Sequence, residues 1–452
     1  MKMKQKTMRK IGIASALGLV VLVVLGLYGA SNYMLNYSLN YPKEERMTAE
    51  HWKNRMKNEC PWMIGWMDSV YQHHCVKDTF VTMPSGYKAH AIYLYAPKTT
   101  EKTAVVVHGY QVRSEGMLHI AYLYNHDMGY NVLLPDLYGH GESEGDHIQM
   151  GWKDRWDVIR WSEIANEIFK VKREEQRVKN EERRVMNTRQ VIHGISMGAA
   201  TTMAVSGEKT PDYVKCFVED CGYTSVWDEF SAQLKDQFGL PAFPLMNTTS
   251  ALCQYRYGWS FAEAQQIEQV RKSTKPMLFI HGDKDAFVPY AMLHPLYEAK
   301  TKGRKAIFIA KGSVHAMAYR DHHEEYTRIV KDFVSKRNRL FSDMLSHHIS
   351  RGPGCLQIEA AGDGINVEHF AGKEEVRAYL ALQGMQVDVA EADTATGNKL
   401  LLEGSLAVYL IEVVGEGFYQ QVATLLSHFA PFLFGCISHF LNQESQKRDG
   451  SM

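Results

Sequence analysis

A serine stands between two glycines in Gly194-Ile195-Ser196-Met197-Gly198, after the apolar run Gln190-Val191-Ile192-His193 and before a small-residue stretch of helical character. Gly-x-Ser-x-Gly in that setting predicts a nucleophile elbow, a tight strand-to-helix turn that holds a serine Oγ out into a pocket. The glycines have a steric reason, because strand and helix backbones approach too closely there for a side chain. An isolated serine hydroxyl is a poor nucleophile and needs a base, and the base needs an acid to orient it. Downstream, Asp283 and Asp285 lie in Phe279-Ile280-His281-Gly282-Asp283-Lys284-Asp285, and His315 lies in Gly312-Ser313-Val314-His315. Serine, acid and histidine thus occur in that chain order, with the nucleophile and each candidate partner just beyond an apolar run. The chemistry this points to is acyl transfer through a serine.

The elements that must position these residues are legible as apolar runs. Thr79–Met83 and Ala89–Tyr95 alternate around Pro84-Ser85-Gly86 and read as a hairpin. Ala104–Val107, Asn131–Leu134, Gln190–His193, Val214–Val218, Met277–Ile280 and Lys305–Ile309 follow, separated by helical segments. Largely continuous apolar runs in that alternation predict parallel strands buried on both faces. Residues 223–275 separate two such strands by about fifty positions, too many for an ordinary loop. With Trp227, Phe230, Phe238, Phe243, Trp259 and Phe261 they read as a helical cap. Charges crowd positions 170–189, where i,i+4 pairs of opposite sign predict a solvated helix extension.

The chain has 452 residues, with 51 Lys and Arg against 51 Asp and Glu. That balance gives no electrostatic footprint for nucleic acid, and the length fits one catalytic domain with additions. The N-terminus is distinct. Residues 1–10 carry Lys2, Lys4, Lys6, Arg9 and Lys10, and residues 11–30 carry no charge. Twenty helical residues span ~30 Å, the hydrocarbon thickness of a bilayer. The expectation is a single-pass signal anchor with the basic flank in the cytoplasm and the rest outside. The alternative is a secreted protein, cleaved near Gly29-Ala30-Ser31. Residues 31–77 read as a helical stalk, and residues 341–452 as an appendage of unassigned fold with strongly apolar Val422–Leu441. Of the seven cysteines, none forms a CxxC pair. Outside the cell a disulfide is allowed, with Cys60 and Cys75 the first candidate pair and buried free thiols the equal alternative.

The residues resemble the α/β-hydrolase superfamily, in particular bacterial membrane-anchored members loosely related to serine aminopeptidases and acyl-ester hydrolases. The resemblance covers about Asp78 to Arg337, within a hydrolase domain read as residues 78–340. It rests on Val107-His108-Gly109-Tyr110, Asp136-Leu137-Tyr138-Gly139-His140-Gly141-Glu142-Ser143, the elbow, His281-Gly282-Asp283-Lys284-Asp285-Ala286-Phe287-Val288-Pro289, and Gly312-Ser313-Val314-His315. It implies a mostly parallel sheet of about eight strands, helices on both faces and a helical cap. It selects Asp285 over Asp283, since the family acid directly precedes the x-x-Val-Pro segment. It implies Ser196 as nucleophile, His315 as general base, Asp285 as orienting acid, and the backbone N–H groups of Tyr110 and Met197 as the oxyanion hole.

These roles imply a small-molecule acyl substrate, a carboxylic ester first. Amide, thioester or acyl-transfer chemistry by the same triad, and a non-catalytic membrane-tethered scaffold, are the alternatives. No metal or organic cofactor is expected. His108, His193 and His281 each precede Gly at a strand end and read as sheet-end packing. Asp136 and His140 read as support for the site.

Overall fold

The computed structural model describes residues 2–177 and 188–335, together with 360–361 and 364–365. The chain divides into two units, Met1–Arg339 and Leu340–Met452. In the second, Ala360–Ala361 and Gly364–Ile365 pair antiparallel. The strongly apolar Val422–Leu441 lies outside the described residues.

The first unit is built on β1 (Lys77–Thr82), β2 (Lys88–Leu94), β3 (Lys102–Val107), β4 (Asn131–Pro135), β5 (Arg189–Ile195), β6 (Val214–Asp220), β7 (Met277–Gly282) and β8 (Lys305–Ala310). They form one sheet in the order β1-β2-β4-β3-β5-β6-β7-β8. β2 runs antiparallel to both β1 and β4, and every later pairing is parallel. The central strands are buried along their length except at the start of β3, where Lys102 is exposed, as their apolar runs require. Two apolar clusters, one on each face, sandwich the sheet.

The helices are α1 (Lys2–Leu39), α2 (Ala49–Glu59), α3 (Ile64–Gln72), α4 (Leu118–Tyr122), α5 (Asp154–Arg177), α6 (Met197–Ser206), α7 (Val226–Phe238), α8 (Leu245–Tyr257), α9 (Gln266–Lys272), α10 (Leu293–Ala299), α11 (Ala318–Asp321) and α12 (His323–Ser335). α5 carries the charged sequence only as far as Arg177; the rest of that stretch, up to residue 187, lies outside the described residues.

Four expectations are corrected. Residues 31–77 are no stalk. α1 continues unbroken into the domain, where Leu35 and Leu39 are fully buried and Ser31 Oγ donates to Thr248 Oγ1 of α8 at 2.6 Å. Each buried leucine contributes ~1.5–3 kcal/mol. α2 and α3 add buried Trp52, Met56, Met67 and Val70, and the Arg46 guanidinium donates to the Gly141, Ser143 and Gly145 carbonyls. The Trp and Met content that suggested an extended connector is the apolar face of these short helices. Second, the cap is smaller than 223–275, because α9 packs on α6 and α10 beside the sheet. α7, capped by Ser225 and ended by Gly239 at φ 65°, and α8, ended by Gly258 at φ 71°, make the cap proper. Third, α1 joins them, lying along α8. Fourth, Cys60 and Cys75 are both free: Cys60 is buried in a core cluster, whereas Cys75 is exposed.

Candidate active site at the end of the sheet

β5 leads directly into α6 through Ser196, whose φ of 59° and ψ of −120° put it where non-glycine residues rarely sit. The Ser196 N–H donates to the Asp220 carbonyl at 2.8 Å, which pins the turn to β6. A Cβ on Gly194 would lie 1.9 Å from the Gly198 oxygen, and one on Gly198 would lie 2.1 Å from the Val107 oxygen. Both obstacles are backbone, so neither can move aside. The glycines of the pentapeptide therefore set the serine's position.

His315 follows β8 and reaches back to the elbow. Its Nε2 lies 2.8 Å from Ser196 Oγ and its Nδ1 lies 2.7 Å from Asp285 Oδ2. With Nδ1–H donating to the carboxylate, Nε2 is left to accept the serine proton. Asp285 is held after β7 by the Phe287 and Val288 N–H groups, each 3.0 Å from Oδ1. Burial works against its charge, but donors from His281 and His315 hold its carboxyl below the usual range. Asp283 points elsewhere, accepting the Gly312 N–H at 2.7 Å and lying 3.6 Å from Lys311 Nζ. The Cys221 thiol packs behind this pair, its donor atom within 4.8 Å of those of Asp285 and His315. Burial, with Asp220 and Asp285 nearby, pushes that thiol well above its ordinary pKa and keeps it a poor nucleophile.

The loop after β3 lies against the serine: a Cβ on Gly109 would sit 3.4 Å from Ser196 Cβ. His108 is fully buried and accepts the Leu137 N–H at Nε2, 2.9 Å away, which leaves Nδ1–H to donate to the Gly109 carbonyl at 2.8 Å. That carbonyl belongs to the same peptide unit as the Tyr110 N–H, so His108 fixes the direction of the donor. Burial pushes the His108 pKa down and keeps the ring neutral. Asp136 accepts from the Ser114 and Glu142 N–H groups and from His90, which ties the 108–114 and 136–145 loops together. Burial works against its charge, but the hydrogen bond and charge of His90 and the Arg113 guanidinium outweigh it and hold the carboxyl low. His140 completes this support through the Gln111 N–H and the Tyr138 carbonyl.

His281 is the site residue that sequence reasoning assigned to packing. Its Nε2 lies 3.2 Å from Asp285 Oδ2 and 3.0 Å from the Val288 carbonyl. Burial lowers the pKa of this ring, but Asp285 and Glu219 outweigh it and raise the pKa. The available signal was its spacing, four residues before Asp285 across a tight turn. His193, by contrast, only bridges the Tyr124 and Tyr326 hydroxyls in the core, at 3.1 and 3.0 Å.

Two cavities meet at Ser196. One, about 380 Å³, lies under the cap, and its walls include Met34 and Tyr37 of α1, Phe230 and Phe238 of α7, and Met246 of α8. Its size is that of a small-ligand pocket. The other, about 360 Å³, lies toward α2 between Trp52, Arg55, His119, His315 and Arg320. Glu229 faces the first cavity, 3% exposed, with Oε2 unpartnered among the described residues. Burial pushes its carboxyl up to about 8. An amide relay joins α1 to the acid loop: Tyr37 Oη donates to Gln237, Gln237 to Gln233, and Gln233 to both Glu229 and the Phe287 carbonyl.

The prolyl oligopeptidase family profile matches residues 118–338. An uncharacterized protein of Bacillus subtilis (strain 168), YqkD, is 28% identical over 264 residues, 58% of this chain and 81% of that protein. The putative esterase YitV of the same organism is 26% identical over 196 residues, 43% of this chain and 72% of that protein. The Pyrococcus furiosus esterase Pf2001 is similar in structure at a TM-score of 0.43 and 18% identity, covering 57% of this chain and 92% of that one. The sheet order and the elbow between β5 and α6 are those of the α/β-hydrolase fold, and the match of the family profile agrees with it.

Proposed function

We propose that the protein is a membrane-anchored serine hydrolase that cleaves a carboxylic ester through an acyl-enzyme on Ser196. The observation that carries this reading is the unbroken chain of short contacts from Ser196 Oγ to His315 to Asp285, at the junction of two cavities. Ser196 Oγ attacks the ester carbonyl as His315 Nε2 takes its proton, and Asp285 stabilises the imidazolium. The oxyanion forms against the N–H groups of Tyr110 and Met197, the first oriented through His108. His315 then protonates the departing alkoxide, and a water molecule activated by the same ring releases the acid. One cavity takes the acyl part and the other the leaving group.

The helix α1 is long and apolar enough to cross a membrane. With the basic flank held in the cytoplasm, the hydrolase domain lies on the other side. A reporter fused after Ser335 that is active in the cytoplasm overturns this topology.

A fluorophosphonate probe tests the chemistry, since only an activated serine beside an oxyanion hole reacts quickly. Labelling of the wild type at Ser196, lost in Ser196→Ala, is expected. A folded wild type that resists the probe and cleaves no ester, thioester or amide would return the protein to the scaffold reading. Amide cleavage is favoured as a second reading by the prolyl oligopeptidase profile. Turnover of aminoacyl anilides above that of matched esters would install it.

A further inference from the structure

The exposed apolar residues are gathered on one side of the domain. Along α1, Leu17, Val20 to Leu25 and Tyr28 are each more than half exposed, and Tyr33 and Tyr37 continue the series. The cap adds Phe238 at 36%, Leu240 at 42%, Phe243 at 59% and Tyr255 at 87%. These are one surface, because α1 lies along α8 and the Tyr37 ring meets Phe238 edge-on at 5.4 Å. Tyr37 and Phe238 also line the larger cavity beside Ser196. The cavity rim is thus apolar within and without.

The helix fixes how far that rim stands from a membrane. Hydropathy alone would place the span at Val20–Leu39. Packing forbids the second half of it, since Ser31, Leu35 and Leu39 are buried against protein and cannot also face lipid. The uncharged stretch 11–30 is itself long enough, at ~30 Å. Met34, the first residue of α1 to line the cavity, follows Ala30 by four positions, ~6 Å along the axis. No connector intervenes, because α1 is continuous from Lys2 to Leu39. Tyr28, Tyr33 and Tyr37 fall where aromatic side chains settle at a membrane–water boundary.

We propose that the turn between α7 and α8 and the tyrosine face of α1 rest in the membrane interface, and that the substrate is a membrane-resident lipid ester whose acyl chain enters between α1, α7 and α8. The chain passes from lipid to an apolar cavity without crossing water, which would cost free energy with every methylene. The inference rests on the ester-hydrolase reading. One acyl–oxygen bond of the lipid breaks as the Ser196 ester forms, the proton passes through His315 to the leaving alkoxide, and water then releases the fatty acid.

The test uses the full chain in phosphatidylcholine vesicles, with p-nitrophenyl acetate in the water phase and dioleoylglycerol in the bilayer as alternative substrates. Leu240→Asp combined with Phe243→Asp alters the turn while leaving the cavity lining and the triad intact. Acetate turnover is expected within about twofold of wild type. Dioleoylglycerol turnover is expected to fall at least about tenfold, because two apolar side chains no longer enter lipid. An equal loss on both substrates, or an undiminished rate on dioleoylglycerol, overturns the proposal. A second measurement needs no turnover: in Phe243→Trp, the added emission is expected to be quenched by phosphatidylcholine brominated in its acyl chains. Emission that brominated lipid leaves untouched, including emission shielded by a second copy or another protein, overturns it. If neither substrate is cleaved and the fluorophosphonate does not react, the hydrolase reading falls, while the quenching still reports where the turn lies.

Discussion

The carboxyl end of the sheet and the cap above it are built by different physics. Around Ser196 the backbone makes the decisions. Gly194 and Gly198 lie against backbone oxygens, Ser196 sits at positive φ, and N–H groups hold Asp285 from two directions. In the cap, side-chain volume and surface decide. α1, α7 and α8 enclose the cavity with methionines, tyrosines and phenylalanines, several of them part exposed, joined by a relay of amides. The first region can tolerate almost no substitution. The second can be re-cut to a different cavity shape while the geometry around Ser196 stays in place.

The hardest test of that division is to remove the chemistry and leave the cap. Ser196→Ala and His315→Ala are each expected to lower kcat by up to ~10⁶, and Asp285→Asn by ~10⁴, with Asp283→Asn close to wild type. Steady-state kinetics on a soluble ester reads this. An Asp283 variant as impaired as the Asp285 one would reassign the acid. A smaller but still large effect is expected on stability from Gly198→Ala, on the order of 3 kcal/mol, since the new Cβ meets the Val107 oxygen. Denaturant titration gives the number, and an unchanged midpoint would show that the elbow can open.

Next comes His281→Leu, which takes from Asp285 one of its donors. A hydrogen bond to a charged group is worth ~1.5–3 kcal/mol, so kcat is expected to fall roughly tenfold while KM stays level. A change in KM alone would make His281 part of substrate binding. The smallest expected effect is on stability against pH. Burial pushes Asp154, Glu219 and Glu229 up to about 8, so the native state holds protons that the unfolded chain has released. Their contribution is full at acid pH and is lost as pH rises through about 8. Below 6.5 the buried neutral rings of His108, His119, His140 and His193 act in the opposite sense. From 6.5 to about 8 those rings no longer oppose the carboxyls, and His90 and His281, whose pKa values are raised, act in the same sense, so Tm is expected to fall, less so in Glu229→Gln. A flat Tm across that range would mean that these carboxyls are already ionised.

Legibility in the sequence divides along the same line. The elbow and the succession of strands leading to it were readable, because backbone sterics demand glycine and buried strands demand unbroken apolar runs, whereas the choice of Asp285 as acid came from the family resemblance. The reach of α1 into the domain was not, because Leu35 and Leu39 look the same in a stalk as in a core. The same is true of Trp52 and Met56, whose burial depends on loops distant in sequence. α9 was counted with the cap because nothing local distinguishes a helix packed on α6 from one over the pocket. His281 passed for packing because its partner depends on how the turn after β7 folds back.

The hinge-free passage of α1 from Lys2 to Leu39 carries angular information as well as height. Each helical residue advances ~100° around the axis and ~1.5 Å along it. In the proposed membrane-anchored arrangement, one residue inserted between Ala30 and Ser31 would turn the domain by ~100° against the span, swinging the cavity mouth away from its heading. Four inserted residues would carry it ~40° past a full revolution, close to its original heading, and raise the domain by only ~6 Å. The orientation of the domain is thus keyed to the phase of a single helix, and residue count in that helix sets the compass bearing of the entrance.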